Sequence, residues 1–402
     1  MNIVKKAYCR IFQAGFRIAQ PFLPYRNPEI YNSCGLISEI IEKESISSVL
    51  LVTDKGILQN RLVEPIERVL NKSKVRYTVY SDTLPNPTVQ NVEAAFELYR
   101  SNRCDALIAV GGGSAIDCAK AVGARVAYPK RSLERLGGIM KVLRKIPTLI
   151  AIPTTAGTGS ETTVAALITD TEFHRKYALM SFPLIPKYAV LDPELTYSLP
   201  KHLTATTGID ALAHAVEAFI GHSTTKETRR LSRSATELIF ENIVTAYNEP
   251  ENKNARQNML HAAHMAGLAF SKSYVGYIHA IAHSLGGRYA TPHGLENAVI
   301  MPYVLRAYGE SVHKRLYELG ILTGVCDSRD SYREGANKFI AAIEDLNKKL
   351  NIPDKISGIK KEDIASMAYF AEKEANPLYP VPKLMTRNEL EELFYSIADW
   401  SK

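Results

Sequence analysis

Short apolar runs alternate with helical patterns in the first half of this chain, and the alternation limits its fold more than any other feature. Runs typical of buried strands cover residues 48–53, 75–80, 106–110 and 148–153. Segments with apolar residues at helical spacing separate these runs. Strands that alternate with helices indicate a parallel, doubly wound sheet, since parallel neighbours need a crossover connection. From about residue 201 onward the periodicity is helical throughout.

We therefore predict three parts along the 402 residues. Residues 1–31 form an N-terminal helical extension, residues 32–197 form an α/β domain, and residues 198–402 form an all-helical domain. Within the α/β domain, apolar spacing predicts one continuous helix over residues 56–70.

Composition excludes several classes of protein. Charged residues make up 23% of the chain and the net charge of +7 is scattered, so we do not expect nucleic-acid binding. The five cysteines are odd in number and form no C-x-x-C pair, which favours a reducing cytoplasm over a disulfide framework. No apolar stretch reaches the roughly 18 residues of a membrane span.

The N-terminal extension allows two interpretations. Val4, Tyr8, Ile11 and Phe12 recur at helical spacing. We expect a helical arm packed on the body of the protein or on a partner subunit, which favours a homodimer. The alternative is a helix that lies at a membrane interface, and we do not expect membrane association.

Two loops that follow strands suit the phosphates of a dinucleotide. Gly111-Gly112-Gly113-Ser114 opens a helix, where glycines admit a close approach and free N–H groups attract anions. The segment Pro153–Glu161 offers the hydroxyls of Thr154, Thr155 and Thr158 to ribose or phosphate oxygens. Each loop alone also fits a tight turn or a helix cap. Two such loops after two strands of one sheet favour a dinucleotide site.

Asp54 stands at the end of the first predicted strand. A carboxylate in this place accepts hydrogen bonds from ribose hydroxyls and repels a 2′-phosphate, which favours NAD over NADP. The alternative role for Asp54 is the N-cap of the helix that follows.

One carboxylate and four imidazoles have the spacing of a metal site. Asp210 and His214 stand four residues apart, as do His279 and His283, so each pair shares a helix face. His293 lies between a proline and a glycine, in a predicted turn. These ligand types without a thiolate suit a catalytic iron or zinc ion with an open position. Spacing alone leaves open which of the last three histidines bind it.

Four motifs, in order, make the chain resemble the iron-containing (group III) alcohol dehydrogenases, which share a fold with glycerol dehydrogenase and dehydroquinate synthase. The motifs are GGGS followed by Asp117, the Pro153–Glu161 segment, GIDALxHxxEA at 208–218, and HxxxHxLG at 279–286 continuing to PHG at 292–294. The resemblance runs from about Asn32 to the C-terminus.

The resemblance implies a dinucleotide-binding domain over residues 32–197 and a metal- and substrate-binding helical domain over residues 198–402. It implies an enzyme that transfers a hydride between NAD(H) and a primary alcohol or aldehyde. NADP is the less favoured cofactor, and Fe²⁺ is the expected metal, with Zn²⁺ as its alternative.

The resemblance also assigns roles to single residues. By motif position, the metal ligands are Asp210, His214, His279 and His293. His283 is then the histidine beside the nicotinamide that relays the proton, and Phe270 lines the substrate pocket. The cofactor contacts are Asp54, Asn86, Gly111, Gly112, Gly113, Ser114, Asp117, Thr154, Thr155, Thr158, Thr163 and Lys176.

Two departures from the family pattern bear on the substrate. Ala165 stands where some diol-oxidising members carry a polar side chain, which favours simple primary alcohols over polyols such as glycerol. Tyr274 stands where small residues are common, which predicts a narrower pocket mouth.

Two other functions remain as alternatives. A metal- and NAD-dependent lyase or cyclase on the same fold would need Lys and Arg near the metal groups, whereas the surrounding residues are apolar. A catalytically silent dinucleotide-binding module would not need the complete metal constellation.

Overall fold

The computed structural model describes residues 3–172 and 175–400, which fall into two compact units. One unit is Pro24–Leu199, and the other joins Met1–Leu23 to Pro200–Lys402. This division differs from the predicted one at the N-terminus. The first 23 residues group with the helical unit, while Glu29–Tyr31 form a strand of the α/β unit instead of belonging to a helical extension.

The α/β unit contains a six-stranded sheet with all neighbours parallel, in the order β1-β9-β6-β4-β2-β3. The predicted fold class is therefore confirmed for this half of the chain. The strands of the unit are β1 Glu29–Tyr31, β2 Ser48–Val52, β3 Arg76–Tyr80, β4 Ala106–Gly111, β5 Gly138–Ile139, β6 Thr148–Pro153, β7 Ala165–Asp170, β8 Arg175–Met180 and β9 Tyr188–Val190. Strands β5, β8 and β7 form a second sheet, in which β7 and β8 are antiparallel.

Both faces of the large sheet are buried, which explains why its central strands are continuously apolar. Leu50 and Leu107 point to one hydrophobic cluster, whereas their chain neighbours Leu51 and Ile108 point to the other. Helices cover the two faces. These helices are α2 Ile37–Glu44, α3 Lys55–Gln59, α4 Glu64–Lys72, α5 Val89–Ser101, α6 Gly113–Ala127 and α7 Leu133–Leu136.

The single helix predicted over residues 56–70 is wrong, because the structure has two helices there, α3 and α4. Arg61 lies between them with a φ of 57°, outside the helical region. Pro65 stands in the first turn of α4, where its missing N–H costs nothing. Inside one continuous helix the same proline would remove a hydrogen bond.

A fully buried lysine ties α6 to the segment before β7. The Lys120 ammonium donates to Ser160 Oγ at 3.2 Å, to Thr163 Oγ1 at 2.7 Å and to the Ala165 carbonyl at 2.8 Å. Its Nζ lies 3.9 Å from the carboxylate of Asp117. Burial lowers the pKa of Lys120 to about 8, against the attraction of Asp117. The buried charge is thus held by a full set of acceptors.

Helices make up the second unit, and the described residues 200–400 contain no strand, only the isolated bridge of Ile356 with Ala398. The all-helical prediction is confirmed. Its helices are α8 Lys201–Ile220, α9 Lys226–Asn248, α10 Lys253–Ser273, α11 Tyr277–Tyr289, α12 His293–Tyr308, α13 Glu310–Leu322, α14 Tyr332–Lys349, α15 Lys361–Ala375 and α16 Arg387–Ile397. The N-terminal helix α1, Ile3–Ala19, belongs to the same unit.

Helix α8 is the centre of this unit, and it packs against α9, α10 and α12. A glycine permits the last of these contacts. A Cβ atom on Gly294 would lie 2.6 Å from the carbonyl oxygen of Thr206, so only glycine lets the first turn of α12 approach α8 this closely. Among the described residues, no helix combines the length and apolar character that crossing a membrane requires.

We expect Lys120→Met to lower the free energy of unfolding by about 3 kcal/mol or more, because the Asp117 carboxylate and three acceptors lose their buried partner. Urea unfolding followed by circular dichroism measures the change. Lys72→Met on α4, where the lysine is exposed, is the matched control. Equal midpoints for the two variants would contradict a structural role for Lys120.

Candidate active site

Asp210 and His214 lie one turn apart on the buried α8, as their spacing predicts. Asp210 is 2% exposed and His214 is 5% exposed. The His214 ring stacks on Phe270 with 4.1 Å between the ring centroids and on His279 with 4.4 Å. The sequence-predicted substrate residue Phe270 therefore lies directly against a predicted metal ligand.

The other three histidines come together from α11 and the first residue of α12. The ring of His293 lies 5.6 Å from that of His279 and 5.2 Å from that of His283, measured between centroids. Ligand atoms of Asp210, His279 and His293 all lie within 4.8 Å of one another. His214 stands beside this group through its stacking on His279, and its role as a fourth ligand stays a prediction.

Glu217, one turn beyond His214 on α8, orients the imidazole ring of His279. Its carboxylate accepts hydrogen bonds from the N–H groups of Gly276 at 2.7 Å and Ile278 at 2.8 Å, which caps the start of α11. It also lies 2.7 Å from Nδ1 of His279. Burial raises the pKa of Glu217 to about 7, against these backbone donors. A hydrogen on Nδ1 leaves the Nε2 lone pair of His279 free to bind a metal.

Asn297 is a second supporting residue. Its amide nitrogen donates to Asp210 Oδ1 at 2.6 Å and lies 3.0 Å from Nε2 of His293. Sequence reasoning missed Asn297, although it stands four residues after His293 on the same helix face and that spacing could have revealed it.

The donor set fits a divalent metal ion. Nε2 of His279 is buried, has no hydrogen-bond partner among the described residues, and lies 3.8 Å from Asp210 Oδ1. Nδ1 of His214 is likewise buried without a partner. Burial lowers the pKa of both His214 and His279, which keeps the rings neutral and able to bind metal. Because unpartnered buried polar atoms are costly, a shared cation is the physical reason for this arrangement.

His283 has a different environment from the other histidines. Its Nδ1 lies 2.6 Å from Glu374 Oε1, and the hydroxyl of Tyr379 donates to the same oxygen at 2.7 Å. Burial disfavours the imidazolium, but the Glu374 charge and hydrogen bond outweigh it, so the pKa of His283 is raised. Glu374 and Tyr379 stand in the last part of the chain and carried no signal that linked them to His283.

The predicted phosphate loops follow two neighbouring strands of the large sheet. Gly111 pairs with Pro153 at the last paired position of the parallel strands β4 and β6, so both loops follow the carboxyl ends of these strands on the same side of the sheet. Gly111 has a φ of 149°, which favours glycine. Helix α6 begins directly afterwards with Gly112 as its N-cap and no side-chain cap, which leaves its first N–H groups for an anion.

Three further predicted cofactor residues, Asp54, Asn86 and Lys176, have different surroundings. Asp54 follows β2, which is the neighbour of β4. Its carboxylate accepts from the N–H of Ile57 at 3.0 Å, so Asp54 is the N-cap of α3, which was the alternative role for this residue. The N–H of Asn86 donates to Ser114 Oγ at 3.3 Å, which joins two predicted contacts. Lys176 is exposed on β8.

Asp117 and Thr163 bind the protein's own polar groups. Asp117 accepts from Ser160 Oγ at 2.6 Å and from the N–H of Leu167 at 3.0 Å, while Thr163 receives the Lys120 ammonium. These contacts position the segment after β6. A direct contact of either side chain with a dinucleotide stays a prediction.

Comparison with known proteins agrees with the fold. Residues 30–193 match the model of the iron-containing alcohol dehydrogenases, and residues 204–398 match the C-terminal model of the Fe-containing alcohol dehydrogenase family. The chain is 34% identical over 367 residues to 1,3-propanediol dehydrogenase of Klebsiella pneumoniae, which covers 90% of this chain and 94% of the relative.

Two solved structures are similar over nearly their whole length. One is an alcohol dehydrogenase from Oenococcus oeni, with 34% identity and a TM-score of 0.88 over 93% of this chain and 98% of that one. The other is sulfoacetaldehyde reductase from Bifidobacterium kashiwanohense in complex with NAD⁺, with 29% identity and a TM-score of 0.83 over 94% and 99%.

The fold and the site thus define a metal-dependent oxidoreductase that acts on alcohol and aldehyde pairs. The chain belongs to the iron-containing alcohol dehydrogenase family. Membership in this family implies Fe²⁺ and NAD(H) as cofactors.

We expect Glu217→Gln to weaken metal binding by about 10- to 100-fold, because the amide keeps one acceptor oxygen for three N–H donors and orients the predicted ligand His279 less firmly. Iron content after dialysis, measured by plasma mass spectrometry, reports the change. Glu227→Gln on α9, whose exposed carboxylate pairs with Lys272, is the matched control and should keep its iron. Full iron content in Glu217→Gln would show that the carboxylate only caps α11.

Proposed function

We propose that this chain interconverts short primary alcohols and aldehydes with NAD(H), through Fe²⁺ held by Asp210, His214, His279 and His293. The observation that carries the proposal is the unpartnered Nε2 of His279, buried 3.8 Å from the Asp210 carboxylate. His279 Nε2 and Asp210 Oδ1 are too far apart for a hydrogen bond to each other, and this spacing supports a metal ion between them.

When bound, Fe²⁺ supplies Lewis-acid polarisation of the substrate oxygen, and NAD(H) accepts or supplies the hydride. The protein's own residues prepare these groups. Glu217 orients the ring of His279, and Asn297 holds the Asp210 carboxylate by its hydrogen bond. The Phe270 ring beside His214 offers an apolar contact to a short carbon chain.

His283 moves the proton in this proposal. The contact of its Nδ1 with Glu374 keeps a hydrogen on that atom, so Nε2 takes up the proton of the alcohol and passes it on. Its side chain is 34% exposed, which gives the proton a way to solvent. In aldehyde reduction the same atom delivers the proton.

The loops of the α/β unit hold the dinucleotide in this proposal. The open N-terminus of α6 binds the pyrophosphate, and Thr154 and Thr155 in the neighbouring loop bind nearby oxygens. Asp54 accepts from the ribose hydroxyls and repels the extra phosphate of NADP. The 1,3-propanediol and alcohol specificities of the relatives support an alcohol substrate, and Ala165 favours a simple alcohol over a polyol.

A lyase or cyclase on this fold is less consistent with the surroundings of the site. Such an enzyme would need cations to hold an acidic substrate. The residues on α11 between and beside the two histidines are Ile278, Ala280, Ile281 and Ala282, all buried and apolar. Activity on a panel of short alcohols and aldehydes with NAD(H), followed at 340 nm, tests the proposal. Turnover restricted to polyols would favour the glycerol-type alternative.

We also infer a homodimer in the cytoplasm. The short edge strand β1 leaves backbone groups on its outer side that a second copy can use, and Ile30 on this strand is 42% exposed. The five cysteines are free, as suits a reducing compartment.

The two histidines of α11 should respond differently to substitution. We expect His279→Ala to lose both iron and turnover, because a ligand is removed. His283→Ala should keep its iron and lose about 100-fold in kcat, because general acid–base catalysis is removed. Metal analysis and NADH absorbance measure the two properties, with His313→Ala on α13 as the control. Loss of iron in His283→Ala would refute its assignment as the proton relay.

Asp54→Ser separates the two roles of Asp54. Serine still accepts from the N–H of Ile57 and caps α3, but it carries no charge. We expect kcat/KM for NADP⁺ relative to NAD⁺ to rise about tenfold, since the repulsion of the 2′-phosphate is gone. Asp345→Ser on the surface of α14 controls for the change in net charge. An unchanged ratio with unchanged stability would mean that Asp54 acts only as a cap.

A further inference from the structure

Helix α1 binds the segment that connects α15 to α16, and it does so with polar side chains. The Arg10 guanidinium donates to the carbonyl oxygens of Val381 at 2.7 Å and Pro382 at 3.0 Å. The Gln13 amide, which is 5% exposed, donates to the carbonyl oxygen of Tyr379 at 2.7 Å. The backbone of this segment is thus held by two side chains of α1.

The apolar side chains of α1 contribute less to this attachment than its sequence predicts. Ile11 and Ile18 are each 72% exposed. An ordinary surface helix buries such residues and leaves its polar ones in water. Helix α1 therefore packs on the body of the protein, as expected, but hydrogen bonds to one particular segment take the place of an apolar contact.

Tyr379 connects this segment to the surroundings of His283. Its side chain is buried, and its hydroxyl donates to Glu374 Oε1 at 2.7 Å. The same oxygen lies 2.6 Å from Nδ1 of His283. The Glu374 carboxylate is thereby held from two sides, by the tyrosine and by the histidine.

Helix α1 also reaches the Tyr379 ring through a second tyrosine. The Phe16 ring meets the Tyr274 ring edge-on with 4.9 Å between the centroids, and the Tyr274 ring lies 6.5 Å from that of Tyr379. Gln20, in the turn after α1, donates to the carbonyl oxygen of Lys272 at 2.8 Å, which fixes the chain just before Tyr274. Both the backbone and the ring of Tyr379 thus have neighbours that α1 holds.

We propose that Tyr379 is a positioning residue for His283, and that α1 holds Tyr379 in place through Gln13. The inference rests on the proposed role of His283 as the proton relay. A carboxylate fixed by the tyrosine hydroxyl keeps the His283 ring in one orientation, with Nδ1 on Glu374 and Nε2 left for the proton of the substrate. Orientation matters because a misplacement of about 1 Å can slow catalysis by about 100-fold. Tyr379 acts through Glu374 and touches neither substrate nor cofactor.

Tyr379→Phe removes only the hydroxyl and tests the first part of the proposal. We expect the rate of NADH formation in a single turnover to fall about tenfold, because the relay is less well oriented. Iron content and KM for the alcohol should keep their wild-type values, since no proposed ligand or substrate contact changes. Tyr369→Phe on α15, at a residue 41% exposed, is the matched control. A wild-type rate in Tyr379→Phe would overturn the proposal.

The same substitution in His283→Ala separates positioning from general support of the site. Without the imidazole, Tyr379 has nothing to position, so Tyr379→Phe should change the residual rate by less than about twofold. A tenfold fall in both backgrounds would refute the positioning role. A wild-type rate in His283→Ala itself would contradict the proposed relay, whereas a slow His283→Ala with a fast Tyr379→Phe would contradict this inference alone.

Gln13→Met tests the role of α1. Methionine resembles glutamine in shape but donates no hydrogen bond, so the Tyr379 backbone loses its attachment. We expect the single-turnover rate to fall about fivefold with full iron content, and to fall little further when the substitution is added to Tyr379→Phe.

Gln20→Met is the matched control for Gln13→Met. It removes a similar hydrogen bond, to the carbonyl oxygen of Lys272, but none to Tyr379. It should keep the wild-type rate. Equal rates in Gln13→Met and Gln20→Met would overturn the proposed role of α1, because the bond to Tyr379 would then have no effect of its own.

Discussion

The carboxylate of Glu217 is the interaction on which the rest of the site depends. It joins two elements at once, because the same group caps the start of α11 and orients the ring of His279. His279 in turn presents its Nε2 to Asp210, which lies on α8 together with Glu217. A buried charge is costly in isolation, and the donors of Gly276, Ile278 and His279 offset only part of that cost, because burial still raises the pKa of Glu217 to about 7. The position of the start of α11 and the orientation of the His279 ring thus both depend on one side chain.

The sequence allowed much of this arrangement to be predicted. Alternating apolar runs identified the parallel sheet, and the four-residue spacing placed Asp210 with His214 and His279 with His283 on shared helix faces. Residues that act through another residue were harder to find. Glu374 lies 91 positions from His283, and nothing in local periodicity connects them. Only the packing of α15 against α11 brings them together.

The N-terminal helix shows a second limit of sequence patterns. Periodicity predicted a helix correctly, but it could not tell which face would dock. Amphipathic helices usually bury their apolar face. Here hydrogen bonds from Arg10 and Gln13 to backbone carbonyls reverse the orientation. Such bonds depend on carbonyl groups of residues 377–382, a segment without regular structure, and no pattern in α1 reveals them.

The docking of α1 has a consequence for the order of events during synthesis. Arg10 and Val381 are separated by 371 positions, so the helix is made long before the carbonyl groups that receive it. A nascent chain therefore carries α1 unattached while both units are being translated, and its attachment closes a loop of 371 positions. Because Gln13 also binds the backbone of Tyr379, whose hydroxyl contacts Glu374, this late step completes the surroundings of His283.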